Sequence, residues 1–227
     1  MASDLEIISS ALIFEGLPEQ DLEKIKDVSI SKRYQKGAII FMDQDEGNGF
    51  YLVAEGLVKI FKVSPSGKEQ ILHVFGPGEP FGEVQVFSGR RFPANAEAIR
   101  ESRLLFFPRS AFLGLITSHP SLALNMLAVL SMRLRQFTQQ IENLSLKEVP
   151  ARLAAYLLYL STEQENEDLV TLDISKGQLA SLLGTIPETL SRILNRMNKQ
   201  GLIETEDRTI HLLDWAGLES LAVEGKN

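Results

Sequence analysis

The chain contains no cysteine. That one absence excludes disulfides, thiolate-held iron–sulfur clusters, zinc fingers and cysteine nucleophiles together. Histidine is scarce, with three among 227 residues, so metal chemistry built on clustered histidines has little to work with. No run of about 18 apolar residues occurs, and no transmembrane helix is expected. The start, Met1-Ala2-Ser3-Asp4-Leu5-Glu6, is acidic and lacks the basic-then-apolar order of a signal peptide. A cytoplasmic protein without a membrane partner is the expectation. Positive charge is also short: 23 Lys and Arg stand against 30 Asp and Glu, a net of −7. Such a balance argues against non-specific coating of nucleic acid but permits a local basic surface. What is present is an ordinary 44% of hydrophobic residues, in a length that suits two modest domains.

Residues 1–30 read as helical, with Leu5, Ile8, Leu12 and Ile13 at helical spacing and Leu22 and Ile25 repeating it after a break at Phe14 to Pro18. From 31 to 108 the character changes. Glycines punctuate short β-type runs, of which Ala38–Met42, Phe50–Ala54, Leu57–Val63, Glu69–Phe75 and Ser102–Phe107 are the clearest. Ser64-Pro65-Ser66-Gly67 has turn chemistry between two of them. Strands this short and this frequent argue for a sandwich, barrel or roll. Residues 109–146 return to helix, and Pro120 suits a helix start. There Ala123, Leu127, Leu130, Leu134, Phe137, Ile141 and Leu144 follow one another at spacings of 4, 3, 4, 3, 4 and 3. This unbroken a/d seam predicts a symmetric homodimer packed along it; a long helix lying across its own sheet is the alternative. Met126, Val129 and Met132 are expected to face the roll instead.

The last segment starts with an apolar helix, Ala151 to Leu160, followed by a polar loop and a short β run from Val170 to Ile174. Two helices then meet around Gly184. Ala180 is the small residue a helix crossing requires, and Gly184 supplies a turn position that tolerates φ > 0. Leu179, Leu183, Leu190 and Ile193 form the clamp between them, and Pro187 and Glu188 suit the second helix's first turn. This is the pattern of a DNA-binding helix-turn-helix. Glu188, Thr189, Ser191 and Arg192 lie near the end that meets base edges, while Arg196 and Lys199 suit phosphates. A hairpin turning at Asp207-Arg208 stands where a wing would lie. Residues 147–227 hold eight Lys and Arg against thirteen Asp and Glu, a net of −5. From Pro187 to Gln200, however, three cations oppose Glu188 alone, so binding to double-stranded DNA should be focused and salt-sensitive.

The motifs Tyr34-Gln35-Lys36-Gly37, Phe50 through Ile60, Phe81-Gly82-Glu83 and Pro187 through Leu194 together resemble the Crp/Fnr superfamily, over nearly the whole chain. The resemblance implies an α+β fold with three parts. An effector-sensing, cyclic-nucleotide-binding-type β-roll (jelly roll) with N-terminal helices would occupy 1–117. A dimerisation helix and hinge would occupy 118–146, with the hinge near Asn143 to Lys147, and a winged helix-turn-helix 147–227. It implies a homodimeric transcription regulator, not an enzyme, that works with RNA polymerase. The Glu188-x-x-Ser191-Arg192 pattern resembles the denitrification-regulator and hybrid-cluster-protein-regulator branch, whose members respond to nitric oxide and read a TTGA-type palindrome. Pro187 stands where the catabolite activator has a base-contacting arginine.

The resemblance also locates an effector pocket, for which Gly82, Glu83, Arg90, Arg91 and Phe137 are the candidates. Pro93 and Ala94 align where the cyclic-AMP pocket needs Arg and Ser, and Phe137 falls where a threonine would meet adenine, so cyclic AMP is not expected. An Fnr-type iron–sulfur cluster fails for want of cysteine. Haem, sensing a gas, stays open with His73 as candidate ligand, although a strand histidine with an ordinary partner is the plainer reading of that residue. A small anionic or organic effector without haem is the alternative. Two other classes fit less well. A regulatory nucleotide module without a DNA role would leave 176–213 without purpose, and a cupin-like enzyme would need more histidines on the roll than His73. Gly76-Pro77-Gly78 reads as a turn, since no helix start follows it.

Overall fold

The structure, a computed structural model, describes residues 3–224. It divides into two compact units, Met1–Leu134 and Arg135–Asn227.

The first unit opens with helices α1 (Asp4–Ser10) and α2 (Glu19–Val28), joined through a 3-10 turn at Leu12–Phe14. Ser3 starts α1 with a reciprocal capping box to Glu6. Leu12 belongs to the turn and is half exposed, so the helical spacing of Leu5, Ile8 and Leu12 spans two elements. Eight strands follow: β1 (Ile30–Tyr34), β2 (Ile39–Phe41), β3 (Gly49–Glu55), β4 (Val58–Val63), β5 (Glu69–Phe75), β6 (Pro80–Phe81), then a short helix α3 (Val84–Ser88), β7 (Asn95–Ala98) and β8 (Ser102–Pro108). They form two four-stranded sheets, β1-β8-β3-β6 and β2-β7-β4-β5. Helix α4 (Arg109–Ser118) comes next, and then α5 (Ser121–Leu146), whose residues to Leu134 belong to the first unit and those from Arg135 to the second. The backbone break between them sits at His119, whose φ of −133° and ψ of 81° are non-helical. The following Pro120 disfavours the α region there.

β3 and β8 explain why their sequences run apolar without alternation. Phe50, Leu52, Leu105 and Phe107 point into one core, shared with α1, α2, α4 and the start of α5. Tyr51, Val53, Leu104 and Phe106 point into a second core between the sheets. Lys59 is 6% exposed on β4 because the cross-strand carboxylates of Glu69 and Glu97 hold its ammonium at 2.6 and 3.2 Å. Arg103 on β8 ties Asp4 of α1 to Glu55 of β3.

The second unit contains α6 (Val149–Glu163), β9 (Leu169–Thr171), α7 (Lys176–Leu182), α8 (Pro187–Lys199), β10 (Ile203–Glu206), β11 (Thr209–Leu212) and α9 (Trp215–Glu224). Its three strands order as β10-β11-β9. The β run expected from Val170 to Ile174 ends at Thr171, because Leu172 donates to Arg208 outside the ladder and Ser175 then opens a helix. Among the described residues no single helix is long and apolar enough to cross a membrane.

Candidate nucleic-acid interface and effector site

Ser175 caps α7: its Oγ accepts from the Gln178 N–H at 3.2 Å, and its own N–H donates to Gln178 Oε1 at 2.8 Å. At the other end Gly184 sits at φ +69°. The Thr185 N–H there donates to the Ala180 carbonyl (2.9 Å), and the Gly184 N–H to that of Ser181 (3.3 Å). This paired closure needs a left-handed residue, which glycine adopts without cost. The turn aims α8 away from α7, while Leu179, Ala180, Leu183, Leu190 and Ile193 close the crossing as a buried set. Arg152 braces the turn from α6, donating to the carbonyls of Leu183 and Lys147; burial pulls its pKa down. Replacing Ser175 with Ala removes one cap bond and strands the α7 amides, so thermal melting should report a loss of about 1 kcal/mol; an unchanged melting temperature would show the cap to be idle.

Along α8, Leu190, Ile193, Leu194 and Met197 face inward. Glu188, Ser191, Arg192, Asn195, Arg196 and Lys199 face solvent on the opposite side, with Thr189 half-buried at the edge. Asn195 was not among the residues singled out from the sequence; the outward face brings it into the row. Ser191 Oγ donates to the Pro187 carbonyl at 2.9 Å, and Arg192 Nη2 donates to Thr189 Oγ1 at 3.1 Å. Asn198 Nδ2 reaches Thr205 Oγ1 at 2.9 Å, joining the end of α8 to the β10–β11 hairpin. That hairpin turns at Asp207, φ +50°. His211 lies in it, paired across with Glu204.

In the first unit, Gly82 sits at φ +76°, which favours glycine, and a Cβ there would press on the rings of Phe92 and Phe41 at 3.3 and 3.4 Å. Glu83 follows it and is 5% exposed. Its carboxylate accepts from Arg133 of α5, which also donates to the Pro80 carbonyl and lies 4.8 Å over the Phe75 ring. Arg133 thus occupies the roll-facing position expected for Met132, which is instead 51% exposed. The reason is periodicity: Leu122, Met126, Val129 and Arg133 step by 4, 3 and 4, so Arg133 shares their face and Met132 does not.

Arg90 and Arg91 lie elsewhere. Together with Gln44, Glu46, Gly47, Gly89 and Pro93 they line an open cleft of about 620 Å3. Arg91 pairs with Glu46 at 3.0 Å, whereas Arg90 has no carboxylate partner among the described residues. The cleft's two walls are zipped by Gln44 N–H to Phe92 carbonyl (2.8 Å) and Phe92 N–H to Asp45 carbonyl (3.0 Å). A second cavity of about 270 Å3 shares Glu46 and Gly47 with it and lies against Phe41, Tyr51, Phe92 and Phe106. Phe92 stacks on Phe41 at 3.7 Å. Glu83 lines neither cavity. Phe137 belongs to the second unit and is 41% exposed.

The His73 ring lies 4.5 Å from that of Phe75, tilted by 60°, and stands 3.8 Å from Glu79. Burial alone would raise the Glu79 carboxyl, but the neighbouring His73 and a hydrogen bond from the Gly76 N–H (2.7 Å) hold it below its usual value. His73 lines neither cavity, and no group of three His, Cys, Asp or Glu side chains able to hold a metal occurs among the described residues. Its ring lies against a neighbouring phenylalanine and a carboxylate, as that of an ordinary strand histidine does.

On α5, Leu127, Leu134, Phe137 and Ile141 are all exposed. Leu144 is half-buried, and Leu130 packs partly on the first unit's core. Leu124 and Leu146 add to the exposed apolar surface.

Residues 31–119 match the model of the cyclic nucleotide-binding domain, and residues 151–221 that of the Crp-like helix-turn-helix domain. The chain is 32% identical to the cyclic AMP receptor protein of Thermus thermophilus over 92% of this chain and 96% of that one. It is 27% identical to the transcriptional activator protein FnrA of Stutzerimonas stutzeri over 91% of this chain and 86% of that one. Among solved structures it resembles the catabolite activator protein of Thermus thermophilus with a TM-score of 0.55 and 31% identity, covering 95% of this chain and 100% of that one.

Proposed function

Since the chain belongs to the Crp/Fnr family of DNA-binding transcription regulators with an effector-binding domain, we propose that it acts in the cytoplasm as a homodimer on a TTGA-type palindromic operator and works there with RNA polymerase. The observation that carries this reading is the outward face of α8. Glu188, Ser191 and Arg192 stand at its N-terminal end, and Arg196 and Lys199 follow on the same side. Arg offers two donors to guanine, Glu accepts from cytosine N4, and the later cations suit phosphates. The Glu188-x-x-Ser191-Arg192 pattern supports the denitrification-regulator branch. The exposed apolar stripe of α5 supports the dimer, whose two-fold axis would match a palindrome. The domain boundaries that follow are 1–117, 118–146 and 147–227.

The effector in this reading is a small anionic or organic molecule taken in the cleft of Arg90 and Arg91, not cyclic AMP. Pro93 and Ala94 stand where the cyclic-AMP pocket needs Arg and Ser, and neither side chain can pair with a phosphate. The test is binding of a labelled TTGA palindrome, compared with a scrambled duplex and repeated with cyclic AMP and with haem before and after nitric oxide. The expected result is a preference for the palindrome of about 1,000-fold or more once the effector is present, unchanged by micromolar cyclic AMP, with only a broad haem absorbance. A sharp Soret band at one haem per chain that shifts with nitric oxide and raises operator binding would replace this effector with a gas. A saturating response to cyclic AMP would overturn it as well.

A further inference from the structure

The first turns of α8 place two would-be base readers of opposite charge four residues apart. Glu188 N-terminal to Arg192 is the favourable order for an ion pair along a helix. Yet among the described residues Glu188 and Arg192 form none. The Arg192 guanidinium is turned to Thr189 instead, its Nη2 donating to Oγ1 at 3.1 Å.

Thr189 is suited to that role for three reasons. Its β-branched side chain is stiff about χ1 in a helix, and its half-burial fixes it further. The carbonyl on which a helical threonine usually spends its hydroxyl, four residues back, belongs here to Thr185, before the helix begins at Pro187. The contrast is Ser191, whose hydroxyl is committed to Pro187 in that way. Thr189 Oγ1 therefore stands as an acceptor beside Arg192, three residues along the same helix.

We propose that Thr189 is a positioning residue for DNA reading: it holds the Arg192 guanidinium off the Glu188 carboxylate, so that both side chains stay open to bases. This inference rests on the reading of α8 as the recognition helix. Using one hydrogen of Nη2 leaves Arg192 with its remaining donors for guanine O6 and N7. Glu188 keeps both oxygens for an amino group such as cytosine N4. Holding the long arginine in place beforehand also removes part of the ordering cost that binding would otherwise meet. Without the Thr189 oxygen the two charges are free to close on each other, and each must then be separated again before it can read a base.

The experiment is competition binding with operators altered one base pair at a time, run on Thr189→Val, Thr189→Ser and Arg192→Ala. Valine keeps the shape and removes the acceptor; serine keeps the acceptor. The expected result for Thr189→Val is a loss of about 3- to 10-fold in discrimination, confined to the base pairs that Glu188 and Arg192 read. Thr189→Ser should retain the wild-type pattern. Full discrimination in Thr189→Val at every position would overturn the proposal. So would a uniform loss on all duplexes, which would make Thr189 a phosphate contact. If Arg192→Ala itself leaves every base preference intact, the reading of α8 fails, and this inference falls with it for that separate reason.

Discussion

Replacing Leu134 and Ile141 together with Lys should turn the protein into monomers, by light scattering or sedimentation at concentrations where the wild type is dimeric. Both side chains are more than 60% exposed on α5, at 69% and 65%, so the change disturbs little of the folded chain. In the proposed dimer each would be buried against the partner helix. Burial of a Leu or Ile side chain contributes roughly 1.5–3 kcal/mol, and two-fold symmetry repeats every loss on the other protomer. Four such losses, about 6–12 kcal/mol, weaken association by about four to nine orders of magnitude, before the cost of bringing lysines together is added. Operator binding should fall with it, because one helix-turn-helix can hold only one half-site. A dimer that survives both substitutions would place the interface elsewhere and leave the stripe without a role.

Arg192→Ala should weaken binding to the operator by about 1–3 kcal/mol, or roughly 5- to 150-fold, while scrambled DNA is held nearly as before. The distinction follows from position. Arg192 sits one turn into α8 with its guanidinium held toward the helix N-terminus by Thr189, where base edges are met. Arg196 and Lys199 lie in the last turn, so removing either should lower affinity on all DNA alike and reduce the salt slope by about one. The second unit's acidic balance sharpens the contrast. With eight cations against thirteen carboxylates from 147 to 227, there is little background attraction to mask the loss of one reader. An equal loss on both DNAs would make Arg192 a phosphate contact.

Local chemistry made the second unit legible in the sequence. Gly184 and Pro187 each punctuate the chain for a reason that acts within a few residues, and the structure places a left-handed turn and a helix start at them. The roll was legible only in its strongly apolar strands. β1 reads Ile-Ser-Lys-Arg-Tyr and β7 Asn-Ala-Glu-Ala; too polar or too small to stand out, they are held by pairing with β8, β2 and β4. The effector region was the least legible. Arg133 and Glu83 lie 50 residues apart, and no periodicity links them. Hydropathy favoured Met132 for the roll-facing position, and helical phase gives it to Arg133. Nor does any local pattern announce that Phe92, next to Arg91, folds inward onto Phe41 while the arginines stay in the open cleft.

The central claim is that this chain reads a two-fold symmetric DNA sequence through α8, and selection of bound duplexes from a random pool by the full-length protein, with and without cell extract as a source of effector, tests it most directly. The account predicts enrichment of a palindrome with TTGA-type half-sites centred about one helical turn apart, and loss of preference at one symmetric pair of positions when Arg192→Ala is used. Enrichment of no sequence, or of a single asymmetric site bound by one chain, would contradict it.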